Sequence, residues 1–161
     1  MERNLAVSLL SLLMGLLLFS CGKGSFTIEG NFPDAGTQNL RFVYVGEDVI
    51  SSQWIPAVNG KFTMQGSSKR LTVVYIYDAR MQFVAHVVVK NGETLLLKGN
   101  IRDNYDITVS GSELAERWNA FTRENAGAFR SGNTAKTDAA IAAYVKANPD
   151  DVVSTLLLTC D

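Results

Sequence analysis

Between Phe26 and Val109 the chain is a succession of short segments in which apolar and polar residues alternate at every second position, and this constrains its fold more than anything else. FTIEGNF sets Phe26 and Ile28 against Thr27 and Glu29. LRFVYVG puts Leu40, Phe42 and Tyr44 on one face, and KFTMQG alternates Phe62 and Met64 with Lys61 and Thr63. Successive side chains leave a strand on opposite sides, so a period of two marks a strand with one buried face. LTVVYIY and FVAHVVVK are too short and too rich in β-branched and aromatic residues to favour helix, and ETLLLKG and YDITVSG complete the series. About seven or eight strands at this spacing predict a mainly β fold, an antiparallel β-sandwich-like domain over residues 26–110.

The punctuation agrees. Asn59-Gly60 and Asn91-Gly92 each stand between two such runs. Asn-Gly readily takes the positive φ angles of a type I′ turn, so each predicts a hairpin. The first would join a strand ending near Val58 to Lys61–Gln65, the second Val84–Lys90 to Glu93–Lys98. Pro56 has no N–H to donate and should confine its strand to an edge or a bulge.

After Ser110 the period changes to that of a helix. Ser110 and Glu113 have capping-box spacing, and Leu114, Trp118 and Phe121 follow at i, i+4 and i+7. Arg130-Ser131-Gly132-Asn133 breaks this helix. A second is expected from near Thr137 to Asn148-Pro149, and Asp150 or Asp151 can cap a third, VVSTLLLTC. Helices of this length are marginal alone and must dock on the β domain or on a following one. Residues 111–161 are therefore expected to form a short α-helical segment. Because the apolar run VVSTLLLTC reaches Asp161 with no polar tail, the native chain is expected to continue into a C-terminal domain that this segment links.

The other end is different in kind. Leu5 to Phe19 is an almost uninterrupted apolar run. As a helix it would rise roughly 22 Å, short of the ~30 Å hydrocarbon core of a bilayer. Residues 1–20 are therefore expected to be a signal peptide rather than a permanent span. The run ends in Leu18-Phe19-Ser20-Cys21, followed by Gly22-Lys23-Gly24-Ser25. An aliphatic residue, then a small one, then cysteine and a polar tether is the pattern of a bacterial lipobox. Phe19 is bulkier than usual at its place, and the leader's single base, Arg3, is offset by Glu2. Cleavage between Ser20 and Cys21 would leave Cys21 as a lipidated N-terminus, with residues 21–25 as the tether. Each buried methylene contributes about 0.8 kcal/mol, so two or three acyl chains (palmitate among them) hold the protein to a membrane without a basic patch.

Composition narrows the partners. Fifteen Lys and Arg against 16 Asp and Glu give a formal charge of −1, with no basic stripe, so nucleic acid is not an expected partner. Of two cysteines the lipid takes Cys21, leaving Cys160 alone, with no C-x-x-C and no zinc-ligand spacing.

Individual candidates for chemistry are few. His86, the only histidine, sits mid-strand beside Val84 and Val88 and is expected to be a half-buried sheet residue. Cys160 falls late in an apolar helix, where the dipole raises a thiol pKa, and is expected to be inert. Asp103, Asn104 and Asp106 supply oxygen atoms but lack the spacing of a calcium loop, and turn chemistry accounts for them. Of Trp54, Trp118, Tyr75 and Tyr77, Trp118 lies on the apolar stripe of its helix, whereas Trp54 beside Pro56 is the candidate for an exposed contact. No catalytic residue, metal ligand or cofactor site is expected.

Taken together, FTIEGNF, NGKFTMQG, VVVKNGETLLLKGN and ITVSGSELAERWNAF resemble, in order and spacing, a domain of unknown function in Bacteroidetes lipoproteins. In that family the domain commonly lies between a lipidated cysteine and a thioredoxin-like domain, and YVKANPDDVVSTLLL is similar to the helical linker preceding the latter. SSQWIPAV departs from the polar turn usual before the NGKF hairpin. The resemblance implies a non-catalytic accessory module that holds a thiol-disulfide oxidoreductase at the membrane and contributes to docking its protein substrates. It also implies that the catalytic cysteines lie downstream. In such bacteria acidic residues after the lipidated cysteine tend to mark surface export. Gly22 and Lys23 therefore imply the cell envelope, at the outer membrane facing the periplasm. The alternative is a stand-alone lipoprotein that binds glycan or peptide through edge strands or Trp54.

Overall fold

The computed structural model describes residues 24–159. Eight strands form two four-stranded sheets: β1 (Phe26–Asn31), β2 (Gln38–Val45), β3 (Ile50–Ala57), β4 (Lys61–Gly66), β5 (Thr72–Tyr77), β6 (Phe83–Val89), β7 (Thr94–Lys98) and β8 (Thr108–Ser110). One sheet has the order β4-β1-β7-β8 and the other β3-β2-β5-β6. The fold is mainly β, as the alternation predicts. All pairs are antiparallel except β1 with β7, which run parallel with Ile28 opposite Leu95.

The alternating apolar residues meet between the sheets. Phe26, Ile28, Met64, Leu95 and Leu97 come from the first sheet, and Leu40, Phe42, Val74 and Ile76 from the second. Ring pairs cross the interface: Phe26 with Tyr44 at 5.3 Å and Phe42 with Phe62 at 5.5 Å. The Phe62 ring lies directly over Gly30, its partner on β1, where any Cβ would fall inside it. Gly30 is thus set by packing rather than by a turn.

Both Asn-Gly turns exist, but neither makes the expected hairpin. Asn59 and Gly60 have φ of 51° and 78°, the positive pair of a type I′ turn. Yet beyond the single bridge of Val58 to Lys61, β3 pairs with β2 and β4 with β1. At Asn91-Gly92 only the glycine has positive φ, 90°, and Glu93 N–H donates to the Lys90 carbonyl at 3.2 Å, the pattern of a type II turn. The chain then passes from β6 in one sheet to β7 in the other. Turn chemistry fixed where the chain reverses, but the demand to bury both strands' apolar faces decided which sheet each one joined. Pro56 lies on β3, an edge strand, as its missing N–H requires.

Four helices follow: α1 (Glu113–Glu124), α2 (Ala126–Arg130), α3 (Thr134–Ala147) and α4 (Val152–Thr159). The first starts two residues later than the expected capping box. Ser112 is its N-cap, with its hydroxyl turned to Glu93 Oε1 at 2.8 Å, and Glu116 accepts from Gly111 N–H at 3.0 Å. Asn125, not Arg130, ends α1, and α3 begins at Thr134, capped by the Asn133 side chain. The helices dock on the β domain, and Trp118, Phe121, Ile141, Val153 and Leu157 join the same apolar core. Asn119 fastens α1 to edge strand β8: its Oδ1 accepts from Val109 N–H at 3.2 Å, and its Nδ2 donates to the Ile107 carbonyl at 2.9 Å. Among the described residues no helix is long and apolar enough to cross a membrane.

Candidate functional site

The outer face of the second sheet is divided. Its β3 and β2 half carries Ile50, 77% exposed, and Trp54, 51% exposed, with the Arg41 guanidinium 5.8 Å from the Trp54 ring. Its β5 and β6 half lies beneath the helices, and there a cleft of about 180 Å³ remains.

A β-bulge shapes its floor. Tyr75 pairs with His86 and Tyr77 with Phe83, so the register slips and Val84 becomes the extra residue. Strict alternation would place Val84 beside His86. The bulge substitutes Phe83, whose ring lies 5.7 Å from His86, and His86, Phe83 and Tyr75 share the cleft. The roof comes from Trp118, Phe121 and Thr122 on α1, Phe129 on α2, Ile141 on α3 and Leu157 on α4. Trp118 meets His86 edge-on at 5.3 Å.

The turn between β7 and β8 forms the remaining wall through Asn104 and Tyr105. Asp103 pins this turn. Its Oδ1 accepts from Tyr105 N–H at 3.1 Å, and both carboxylate oxygens accept from Arg130 Nη2 at 2.6 Å. That hydrogen bond from Arg130 holds the Asp103 carboxyl below the usual carboxylate range. The Arg130 guanidinium also stands 4.9 Å from the Tyr105 ring, which stacks on Phe129 at 6.0 Å.

Electrically the cleft is neutral. Burial pushes the His86 imidazole down from its ordinary 6.5 to about 4, so it is uncharged at neutral pH. Among the described residues no carboxylate, lysine or arginine lines the cleft. Three polar groups do, without a protein partner among the described residues. The Trp118 Nε1–H is buried and unpaired, and the His86 ring and the Asn104 side-chain amide make no hydrogen bond. Aromatic and aliphatic walls with a few convergent polar edges are the make-up of a small-molecule site. No protein-family model matches the chain, and no curated protein matches it.

The residues singled out from sequence are scattered. Ser20, Cys21 and Cys160 lie outside the described residues. Trp54 is on the open half of the sheet, apart from the cleft, while Trp118, Tyr75, His86 and Asn104 come together in it. Among the described residues no group of three or more His, Cys, Asp or Glu is placed to hold a metal ion. Phe83, Tyr105 and Phe129 carried no sequence signal for the cleft. Phe83 reaches it through the bulge, and Phe129 and Tyr105 through ring packing, Phe129 edge-on to Phe121 and Tyr105 stacked on Phe129.

Proposed function

We propose that the chain is a membrane-tethered, non-catalytic accessory module of an envelope lipoprotein, the N-terminal part of a thioredoxin-like thiol-disulfide oxidoreductase. The observation that carries this is the junction at Cys21: an apolar leader, a lipobox, and only Gly22 to Ser25 before Phe26 enters the sandwich core. So short a tether would keep a rigid β domain against the outer membrane, on its periplasmic side. Confinement to a surface raises the effective concentration of the module and whatever is linked to it, with no new contact. Docking of α1 to α4 on the sandwich supports a fixed rather than a loose connection to a following domain.

The test is intact-mass and peptide mass spectrometry of the protein made in its own host. The expected result is an N-terminus at Cys21 carrying diacylglycerol and acyl mass, and a Cys21→Ser chain recovered unlipidated. An unmodified Cys21 with residues 1–20 still attached would overturn the tether. Coding sequence beyond Asp161 with a C-x-x-C in a βαβ pattern would support the oxidoreductase. A second reading, a stand-alone lipoprotein that binds glycan or peptide, draws on the half-exposed Trp54 beside Arg41 on edge strand β3. A stop codon directly after Asp161, or a second β domain beyond it, would favour it.

A further inference from the structure

We propose that the cleft between the second sheet and the helices binds a small, neutral, single-ring aromatic molecule carrying one hydrogen-bonding substituent, the chemistry of a phenol. Size sets the ring count. At about 180 Å³ the cleft slightly exceeds the ~150 Å³ cavity known to hold benzene, and falls below the ~300 Å³ at which drug-sized ligands begin. The walls suit a ring. Tyr75, Phe83, Tyr105, Trp118 and Phe129 offer faces and edges for offset or edge-on contact. Phe83, 40% exposed at the edge of the cleft, marks the mouth through which a ligand enters.

Charge and polarity set the substituent. With no ionised group in the wall, a carboxylate or ammonium would be desolvated without a counter-charge and is rejected. The Trp118 Nε1–H loses hydration beneath the helices without regaining a hydrogen bond, and the half-buried His86 imidazole and Asn104 amide line the same cleft. A hydroxyl can accept from one and donate to another, which removes that penalty, whereas a purely apolar ring leaves it in place. This site is independent of the lipid tether and of any downstream domain.

The test uses the full chain, purified from membranes in dodecyl maltoside, a detergent with no aromatic group, and fluorine NMR of three probes. 4-Fluorophenol is expected to show saturable line broadening. 4-Fluorotoluene, nearly the same shape with methyl in place of hydroxyl, should bind about fivefold or more weaker, the loss of one good hydrogen bond. 4-Fluorobenzoate should not bind. Ile141→Trp, which fills the cleft, should abolish the 4-fluorophenol signal. Asn104→Ala, a change in a surface turn that removes no intramolecular bond of that side chain, should weaken it severalfold while leaving the thermal unfolding midpoint in place. Absence of saturable broadening would overturn the proposal. So would equal binding of 4-fluorotoluene, or undiminished binding to both variants. N-acetyltyrosinamide binding more tightly than 4-fluorophenol would overturn the assignment to a free small molecule in favour of a tyrosine-bearing peptide.

Discussion

At the scale of a single residue, His86 carries the clearest consequence. Its folded pKa of about 4 lies below the ordinary 6.5, because charging it would desolvate an imidazolium among Tyr75, Phe83 and Trp118. Between those two values the unfolded chain binds a proton that the folded chain refuses. Lowering the pH through this interval therefore favours unfolding, by roughly 3 kcal/mol once both ends are passed. His86 is the only histidine. Asp103 and Asp151, whose carboxyls are held below the usual range, lose their contribution mainly at lower pH. Comparison of His86→Phe with the parent protein by urea unfolding across this range cancels those carboxylates. The variant is expected to lose about 3 kcal/mol less between neutral pH and the acid end. Equal acid sensitivity would mean that the imidazole is protonated in the fold without cost. The sequence placed His86 as a half-buried sheet residue, and so it is. What could not be read was its company, because a one-residue bulge exchanged Val84 for Phe83 beside it.

At the scale of elements, strands were legible and their pairing was not. Alternation marks which face of a strand is buried, and the buried faces of β1, β2 and β4 are those the pattern names. Nothing local, however, distinguishes an Asn-Gly turn that folds a hairpin from one that carries the chain across to another sheet. At Asn91-Gly92 that choice was made by distant partners, β5 for one strand and β1 for the other. The start of the first helix moved for a similar reason: Ser110, the expected cap, pairs with Leu96 as the last residue of β8, so α1 begins after it. Edge strand β8 depends on the helix that follows it, since Asn119 supplies both an acceptor and a donor to backbone groups on or beside it. Asn119→Ala strands two backbone partners at a part-buried junction and is expected to destabilise by about 1–3 kcal/mol. Asn119→Asp retains the acceptor and loses the donor, and should fall between alanine and the parent in chemical denaturation. Asp and Ala of equal stability would show that the Val109 contact contributes nothing.

At the scale of the whole molecule, the sandwich carries a helical layer whose main footing is α1. Trp118, only 5% exposed, sits where α1 meets β6, and Phe121 beside it faces Tyr144 of α3 at 5.0 Å. Arg117 of α1 pairs with Asp151 at 3.2 Å, and the Tyr144 hydroxyl donates to the same carboxylate at 2.8 Å, so α3 and α4 are fastened largely through α1. Burial opposes ionisation of Asp151. The Val153 N–H, the Tyr144 hydroxyl and Arg117 together outweigh it and hold the carboxyl charged. Below the helices the cleft leaves this layer incompletely packed, whereas the space between the sheets is filled by interlocking rings. Segments with fewer buried apolar contacts open first, so the two layers should differ in local stability. Trp118→Ala removes the largest side chain at the footing, at a cost of about 3–5 kcal/mol borne mainly by the helices. In hydrogen exchange followed by mass spectrometry, peptides spanning 134–159 of the variant should lose most of their protection. Peptides from β1, β2 and β5 should keep theirs, because Phe26, Phe42 and Val74 pack between the sheets while α1 rests mainly on β6 and β8. Loss of protection in both regions together would mean that sandwich and helices form one cooperative unit, with the helical layer as necessary to the fold as either sheet.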